Sequence, residues 1–407
     1  MGAIDVKILQ INSVCGIGST GRIATDIHQT LKEQGHESII AYGRGIPMNC
    51  ESSIRIGSKY DNYAHVALTR IYDKHGFGST KATEIFIEKI EEFRPDIIHL
   101  HNIHGYYINI KLLFDYLKKA DKSVVWTLHD CWAFTGHCSH FDFIQCSKWK
   151  LGCNHCPQKN NYPSSLFIDN SKGNYKVKKE IFTGIKNMTI ITPSTWLANL
   201  VKDSFLNEYP VKVINNGIDL EIFSNMNSDF RERHKLKNKF IILGVANIWE
   251  EKKGFNHFLE LSNNIKGNEI IVLIGLTEAQ KRICPENIIG ITRTNNIKEL
   301  AEIYSAADVF VNPTLEDTFP TTNLEALACG TPVITFDTGG SVESIDGSCG
   351  IVVEKGNVME LNNAIKLFRD NKYFLDNCLN RSKKYDKREK YNEYLDMYNH
   401  IQLNGGR

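Results

Sequence analysis

Val6-Lys-Ile-Leu-Gln-Ile-Asn12 runs into Gly16-Ile-Gly18-Ser-Thr-Gly21-Arg22, after which Ile23, Ile27 and Leu31 recur at helical spacing as far as Gly35. A short β-branched apolar run, a glycine-rich turn and an amphipathic helix make one β-loop-α unit. Apolar runs at residues 38–42, 96–101, 123–128 and 189–192 continue the alternation. Continuous runs of this length suit strands buried on both faces of a parallel sheet. Turn-forming residues break the pattern at Asn215-Asn-Gly-Ile-Asp219, and a charged stretch follows at 229–239. The alternation restarts with Phe240-Ile-Ile-Leu-Gly-Val-Ala246 and goes on at 269–274, 287–291, 308–311 and 332–336, with a helix at 298–304. The fold class expected is α/β, with two doubly wound Rossmann-like domains.

The junction is expected near residues 205–215. This gives an N-terminal domain over 1–207 with a cysteine-rich insertion at 131–160, a C-terminal domain over 208–380, and a C-terminal helix over 381–407 packing back toward the first domain. Tyr385, Tyr391, Tyr394 and Tyr398 fall at offsets compatible with one face of that helix. Ligands of open parallel sheets sit outside the carboxyl ends of the strands, so the site is expected in a cleft between two facing sheets.

Composition removes several functions. A chain of 407 residues holds about two domains. Its 48 Lys and Arg against 47 Asp and Glu leave a formal charge of +1, without the broad positive field of a nucleic-acid binder. No apolar run approaches the roughly 18–20 residues that span a bilayer. Residues 1–10 lack a charged region followed by an apolar core, so the expected setting is the cytoplasm, extending to the inner face of the membrane.

The glycine turn places backbone N–H groups at the positive end of a helix, and Gly16, Gly18 and Arg22 become candidates for holding a phosphate. The second apolar run ends in Ala41-Tyr-Gly-Arg44 without the acidic residue a dinucleotide site needs, which disfavours NAD. The alternative is a tight turn that uses glycine for close packing alone.

The most specific segment is Tyr304-Ser-Ala-Ala-Asp308-Val-Phe-Val-Asn-Pro313-Thr-Leu-Glu316-Asp317-Thr-Phe-Pro-Thr321-Thr322-Asn323-Leu-Glu325-Ala-Leu-Ala-Cys-Gly330-Thr-Pro332-Val-Ile. It resembles the sugar-donor signature of glycosyltransferase family 4, retaining enzymes of the GT-B fold, whose pattern is Glu-x7-Glu. Asp317 and Glu325 keep that spacing here, with the first carboxylate one methylene shorter and Glu316 beside it, so either Asp317 or Glu316 is the one that reaches the sugar. Thr322-Asn-Leu-Glu325 also has the form of a capping box with Thr322 as N-cap. The helix start over Thr321, Thr322 and Asn323 would then favour a diphosphate, and Glu325 would hold the ribose hydroxyls or merely complete the box.

Other landmarks of the family follow in order. Asp96-Ile-Ile-His-Leu-His101 and Val125-Trp-Thr-Leu-His129-Asp130 resemble its acceptor-side strand ends, which implies His129 near the reacting centre. Asn215 to Asp219 resembles its inter-domain junction, and Gly339-Gly340 with Glu343 its nucleoside-side loop. In Asn247-Ile-Trp-Glu-Glu-Lys252-Lys253-Gly254, Lys253 matches the lysine that clamps the leaving diphosphate and Lys252 is a second candidate. The family's arginine is missing there, and Arg22 is the cation offered in its place. No two Asp residues stand two apart, so the metal-holding D-x-D pattern of the other large glycosyltransferase fold is absent and catalysis is expected to need no cofactor.

The resemblance implies a retaining glycosyltransferase that moves a sugar from a nucleotide-diphosphate donor to a glycan or lipid-linked acceptor in surface polysaccharide biosynthesis. His129, Lys253, Asp317 and Glu325 would be its catalytic residues. The alternative is a non-catalytic nucleotide-sugar-binding or zinc- or thiol-sensing protein.

Five of the eleven cysteines fall between Cys131 and Cys156. Cys138, Cys146, Cys153 and Cys156 could close a tetrahedral structural zinc site, with Cys131, His137, His140 or His155 able to replace a ligand. Buried free thiols are the alternative. The basic stretch 175–186 puts Val177, Ile181, Phe182 and Ile185 near one face, which fits either peripheral membrane contact or a helix packed on its own sheet.

Overall fold

The computed structural model describes residues 6–370 and 374–405, so half of the N-terminal stretch read for a leader lies outside the described residues. The chain forms two compact units, one of Met1–Asn215 with Lys390–Arg407 and one of Asn216–Glu389.

The first unit is built on β1 (Lys7–Val14), β2 (Glu37–Arg44), β3 (Ser53–Arg55), β4 (Ile97–Leu100), β5 (Ser123–Thr127), β6 (Met188–Thr192) and β7 (Val211–Val213). They pair in the order β3-β2-β1-β4-β5-β6-β7, all parallel. The second contains β8 (Phe240–Val245), β9 (Glu269–Ile274), β10 (Ile288–Ile291), β11 (Val309–Asn312), β12 (Val333–Phe336) and β13 (Gly350–Val353), parallel in the order β10-β9-β8-β11-β12-β13. In each sheet the order reverses beside the first strand, between β1 and β4 and between β8 and β11. Loops part there and leave a crevice at the strands' carboxyl ends.

Burial follows the sequence pattern. Leu9 lies across from Ile39 on β2 and Ile98 on β4, and the helix Gly18–Glu33 turns Ile23, Ile27 and Leu31 inward. Each such side chain contributes about 1.5–3 kcal/mol of transfer free energy. Strands β3 (Ser-Ile-Arg) and β7 (Val-Lys-Val) have three residues each and carry no continuous apolar run, whereas β13, Gly350-Ile-Val-Val353, is a short apolar run absent from the expected strands. The pairing of β7 with β6 carries the first unit on to Asn215, beyond the expected end at residue 207.

The last helix, Lys387–Gly405, contributes Tyr391, Tyr394, Leu395, Met397 and Tyr398 to a first-unit core with Ile8, Ile27, Ile97 and Val125. Tyr385 leaves the expected tyrosine face. The chain turns between the helices Leu375–Lys383 and Lys387–Gly405, and the Tyr385 hydroxyl instead donates to the Glu343 carbonyl at 2.9 Å within the second unit.

Within the helix Ser171–Phe182 and the turn after it, Ile181, Phe182 and Ile185 are buried in the first-unit core and Val177 packs against it. That apolar face is covered by protein, which corrects the membrane-contact reading of this stretch. Among the described residues no helix is long and apolar enough to cross a membrane.

The first unit also buries many histidines. Burial holds His65 and His129 at about 4 and His99 at about 3, and His75 and His101 lie well below the usual value. A folded-state pKa below the unfolded one means that the unfolded chain takes up protons first. The stability these groups contribute is present above about pH 6.5 and is lost as pH falls toward 4, at about 1.4 kcal/mol per pH unit for each group. The melting temperature, followed by circular dichroism, is expected to fall steeply from about pH 6.5 downward, before the ordinary carboxylates titrate. A flat profile down to pH 5 would contradict this account of the core.

Candidate active site

In the second unit the loops after β8, β11 and β12 lie at the carboxyl ends of strands flanking the reversal. The first loop ends in a single 3-10 turn, Glu251–Lys253, and then Gly254. Gly254 has φ +83°, and a Cβ there would stand 2.3 Å from the Pro313 carbonyl, so only glycine lets the β8 loop lie against the β11 loop. The Lys252 carbonyl accepts from the Leu315 amide at 2.8 Å, which joins the two loops.

Two ion pairs cross that seam. Lys252 Nζ meets Glu316, and Lys253 Nζ donates to Asp317 Oδ2 at 2.7 Å. Glu316 is 5% exposed, whereas the Asp317 and Lys253 side chains are 18% and 41% exposed, so the second pair is the accessible one. Around Lys253, partial burial favours the neutral amine, but Asp317, with Glu316 and Glu250 behind it, outweighs burial and raises its pKa. Lys253 is therefore an ammonium at any physiological pH.

Asp317 is held on its other side as well. Its Oδ1 accepts from the Phe319 amide at 3.2 Å, and its carbonyl accepts from the Gly340 amide at 3.1 Å. Gly339 has φ +53°, and a Cβ there would come 2.0 Å from the Asp317 carbonyl oxygen. The Gly339-Gly340 pair thus seats the β12 loop on the carboxylate loop. In the same segment Thr338 Oγ1 and Ser341 Oγ are buried without a hydrogen-bond partner.

The helix Thr321–Ala328 corrects the capping expectation. It starts two residues earlier than expected, with Pro320 at φ −71° as the cap residue and no side-chain cap bond. Proline's ring fixes this start, so Thr322 is the second helical residue and cannot act as N-cap. The buried Glu325 carboxylate accepts instead from the Tyr304 hydroxyl at 3.0 Å. Asn323 is fully buried, accepting from Asn312 Nδ2 at 2.8 Å and donating to Ser344 Oγ at 2.9 Å, so its side chain ties β11 to the turn Ser341–Ser344. The first-turn amides of Thr321 and Thr322 form the end of the helix.

In the first unit, Gly16 and Gly18 make the turn after β1. The Gly16 amide donates to the Gly21 carbonyl at 3.1 Å, and the helix begins at Gly18 with no side-chain cap. Arg22 is exposed on its first turns. His129, just past β5, belongs to a fixed chain. Gln10 Nε2 donates to the Ala24 carbonyl at 3.1 Å, which turns Gln10 Oε1 toward His101 Nε2 at 3.0 Å. His101 Nε2 must then carry the proton, so its Nδ1 accepts from His129 Nε2 at 3.1 Å. Burial, partly opposed by Asp130, holds His129 at about 4, so it is a neutral imidazole with Nδ1 as its acceptor nitrogen.

Sequence reasoning missed the neighbours of this chain. His104 pairs with Asp130 at 2.8 Å and meets the Tyr162 hydroxyl at 3.0 Å. The alternation His99, His101, His104 at the end of β4 was the available signal. The cysteines Cys138, Cys146, Cys153 and Cys156 line one small cavity of the first unit. Among the described residues no three His, Cys, Asp or Glu side chains are arranged to hold a metal ion as they stand.

Two family models match the chain, Glycosyltransferase Family 4 over residues 20–222 and Glycosyl transferases group 1 over residues 239–371. The chain belongs to glycosyltransferase family 4, and it is a glycosyltransferase of GT-B type. It is 26% identical over 373 residues to the protein assigned as colanic acid biosynthesis glycosyl transferase WcaC in Escherichia coli K12, covering 88% of this chain and 89% of that one. Its fold is similar to that of sucrose-phosphate synthase from Thermosynechococcus elongatus, with a TM-score of 0.75 at 17% identity over 98% of this chain and 99% of that one. It is also similar to that of Anabaena HepE in complex with UDP-glucose, with a TM-score of 0.65 at 16% identity over 97% and 99%. The family favours the transferase reading over that of a non-catalytic sensor.

Gly339→Ala is expected to lower the stability of the second unit by at least about 1–2 kcal/mol, because alanine must adopt a left-handed backbone while its methyl overlaps a carbonyl oxygen. A urea titration of the variant checks this, and an unchanged midpoint would contradict the close approach of the two loops.

Proposed function

We propose that this glycosyltransferase moves a sugar, with retention, from a nucleoside-diphosphate donor to a glycan or lipid-linked acceptor of a polysaccharide under assembly, at the inner face of the membrane. The observation that carries the reading is the accessible Lys253–Asp317 pair beside the uncapped helix start at Thr321. One cation, a set of main-chain amides and a carboxylate lie within one short loop system, which suits a ligand with an anionic and a hydroxylated half. The similarity to WcaC and to a UDP-glucose-binding fold supports the same class of substrate.

In this mechanism the diphosphate takes the Lys253 ammonium and the Thr321 and Thr322 amides, while Asp317, with Glu316 behind it, accepts from sugar hydroxyls. Glu325 holds the ribose side, Lys252 fixes Glu316 in place by their ion pair, and Gly339 and Gly340 shape the nucleoside side. Gly16, Gly18 and Arg22 are proposed as further anion contacts from the first unit. His129, being neutral, offers Nδ1 to a sugar hydroxyl as an acceptor and does not act as a cation. The bond from the anomeric carbon to the β-phosphate oxygen breaks as the acceptor oxygen bonds on the same face, and the acceptor's proton passes to the departing phosphate. Preorganised charge at Lys253 stabilises that phosphate without reorganisation during the step.

Thermal shift against UDP, GDP and ADP and their sugars tests the reading. One nucleoside diphosphate is expected to stabilise the chain by about 2.7 kcal/mol at a hundredfold excess over its dissociation constant. Lys253→Ala is expected to abolish that shift and to lower transfer about 10²–10³-fold. Because the pair is partly exposed, the same variant should cost only about 0–1 kcal/mol of stability. Full transfer by a folded Lys253→Ala protein would contradict the assignment.

A further inference from the structure

The insertion after β5 encloses a small cavity within the first unit. It measures about 20 Å³ and is lined by Cys138, Cys146, Cys153 and Cys156 together with His137 and Trp149. A space of that size holds one small ion or one water.

Three further features surround it. First, His137 and Asp73 are both 0% exposed, and His137 Nδ1 meets Asp73 Oδ1 at 2.6 Å. Asp73 is itself fixed, accepting from the Asn170 amide at 2.8 Å. The ring is therefore clamped, while its Nε2 is buried without a partner, at an ordinary cost of about 1–3 kcal/mol. The histidine lines the same cavity as the four cysteines, and carboxylate-held histidines accompany metal centres. Second, the Gly136 amide donates to Cys153 Sγ at 3.2 Å, a bond that favours a thiolate. Third, Lys178 is buried, donating from Nζ to the Trp132 and Thr135 carbonyls at 2.8 and 3.1 Å, with the Trp132 ring centroid 3.3 Å away. Both of these hydrogen bonds go to neutral carbonyls, and the groups whose charge acts on the ammonium are Cys153, Asp130, Cys138 and Asp73.

We propose that this cavity is a structural zinc site. The thiolates of Cys138, Cys146, Cys153 and Cys156 are its four ligands, and His137, held by Asp73, packs beside them as an outer residue. Four thiolates around one divalent ion carry two net negative charges, which Lys178 and the Gly136 amide offset. The site is independent of sugar transfer chemistry. It folds a long connection that holds Asp130 and Tyr162 against His104, and so it supports the His129 side of the enzyme.

Metal analysis of the purified full chain by mass spectrometry tests this, together with thiol counting and cobalt substitution. About one zinc per chain is expected. The four thiols should be protected from a disulfide reagent until a chelator removes the metal, and the cobalt form should show thiolate charge-transfer absorption. Cys146→Ser and Cys156→Ser should each lose the metal. His137→Gln should retain one zinc per chain but release it to a competing chelator about 10–100-fold more readily. A metal-free chain that takes up neither zinc nor cobalt and has four freely reactive thiols would overturn the site. Zinc retained by Cys146→Ser and lost by His137→Gln would overturn the ligand set, and both readings use metal content, so a variant that folds poorly is judged against the wild-type measurement.

Discussion

The account rests on one ionic contact, the ammonium of Lys253 on the carboxylate of Asp317. Every neighbouring feature of the second unit serves to hold those two groups where they are. Gly254 lets the lysine loop lie against Pro313, the Lys252–Glu316 pair closes the inner side, and Gly339 brings a third loop onto the Asp317 carbonyl. A partly exposed ion pair contributes little to stability, about 0–1 kcal/mol. The amount of structure devoted to it is explained by chemistry that requires fixed charge more than by stability.

The first unit manages charge by the opposite means. It buries histidines in the neutral form and fixes their tautomers through neighbours, from Gln10 through His101 to His129. Such a chain presents a defined acceptor nitrogen at a strand end without placing a second cation there. A parallel sheet makes this arrangement available because β1, β4 and β5 end side by side, and residues from distant parts of the sequence meet at those ends.

Much of this was legible before any coordinates. The continuous apolar runs gave ten of the strands, since burial on both faces leaves an uninterrupted signal, whereas the edge strands β3 and β7 carry a polar or charged residue in each three-residue span and β13 is a run of only Ile351-Val-Val353. Lys252, Lys253, Glu316 and Asp317 could be read from motif and order, but not their pairing, which depends on how two loops after different strands meet. The capping box at Thr322 was misread because the S/T-x-x-E pattern ignores the preceding proline, whose fixed φ starts the helix earlier. The histidines at 99, 101 and 104 mark the end of β4 in the sequence, but the chain from Gln10 through His101 to His129 joins three separate strands, and no local pattern carries that pairing. The amphipathic stretch at 175–186 showed an apolar face correctly, but periodicity alone does not say whether protein or lipid covers that face.

A crystal structure of the chain grown with whichever of UDP, GDP and ADP stabilises it tests the central claim most directly. The account expects the β-phosphate within hydrogen-bond distance of Lys253 Nζ and of the Thr321 and Thr322 amides, with Lys253 withdrawn from Asp317. A diphosphate bound elsewhere, with Lys253 still closed on Asp317, would contradict it.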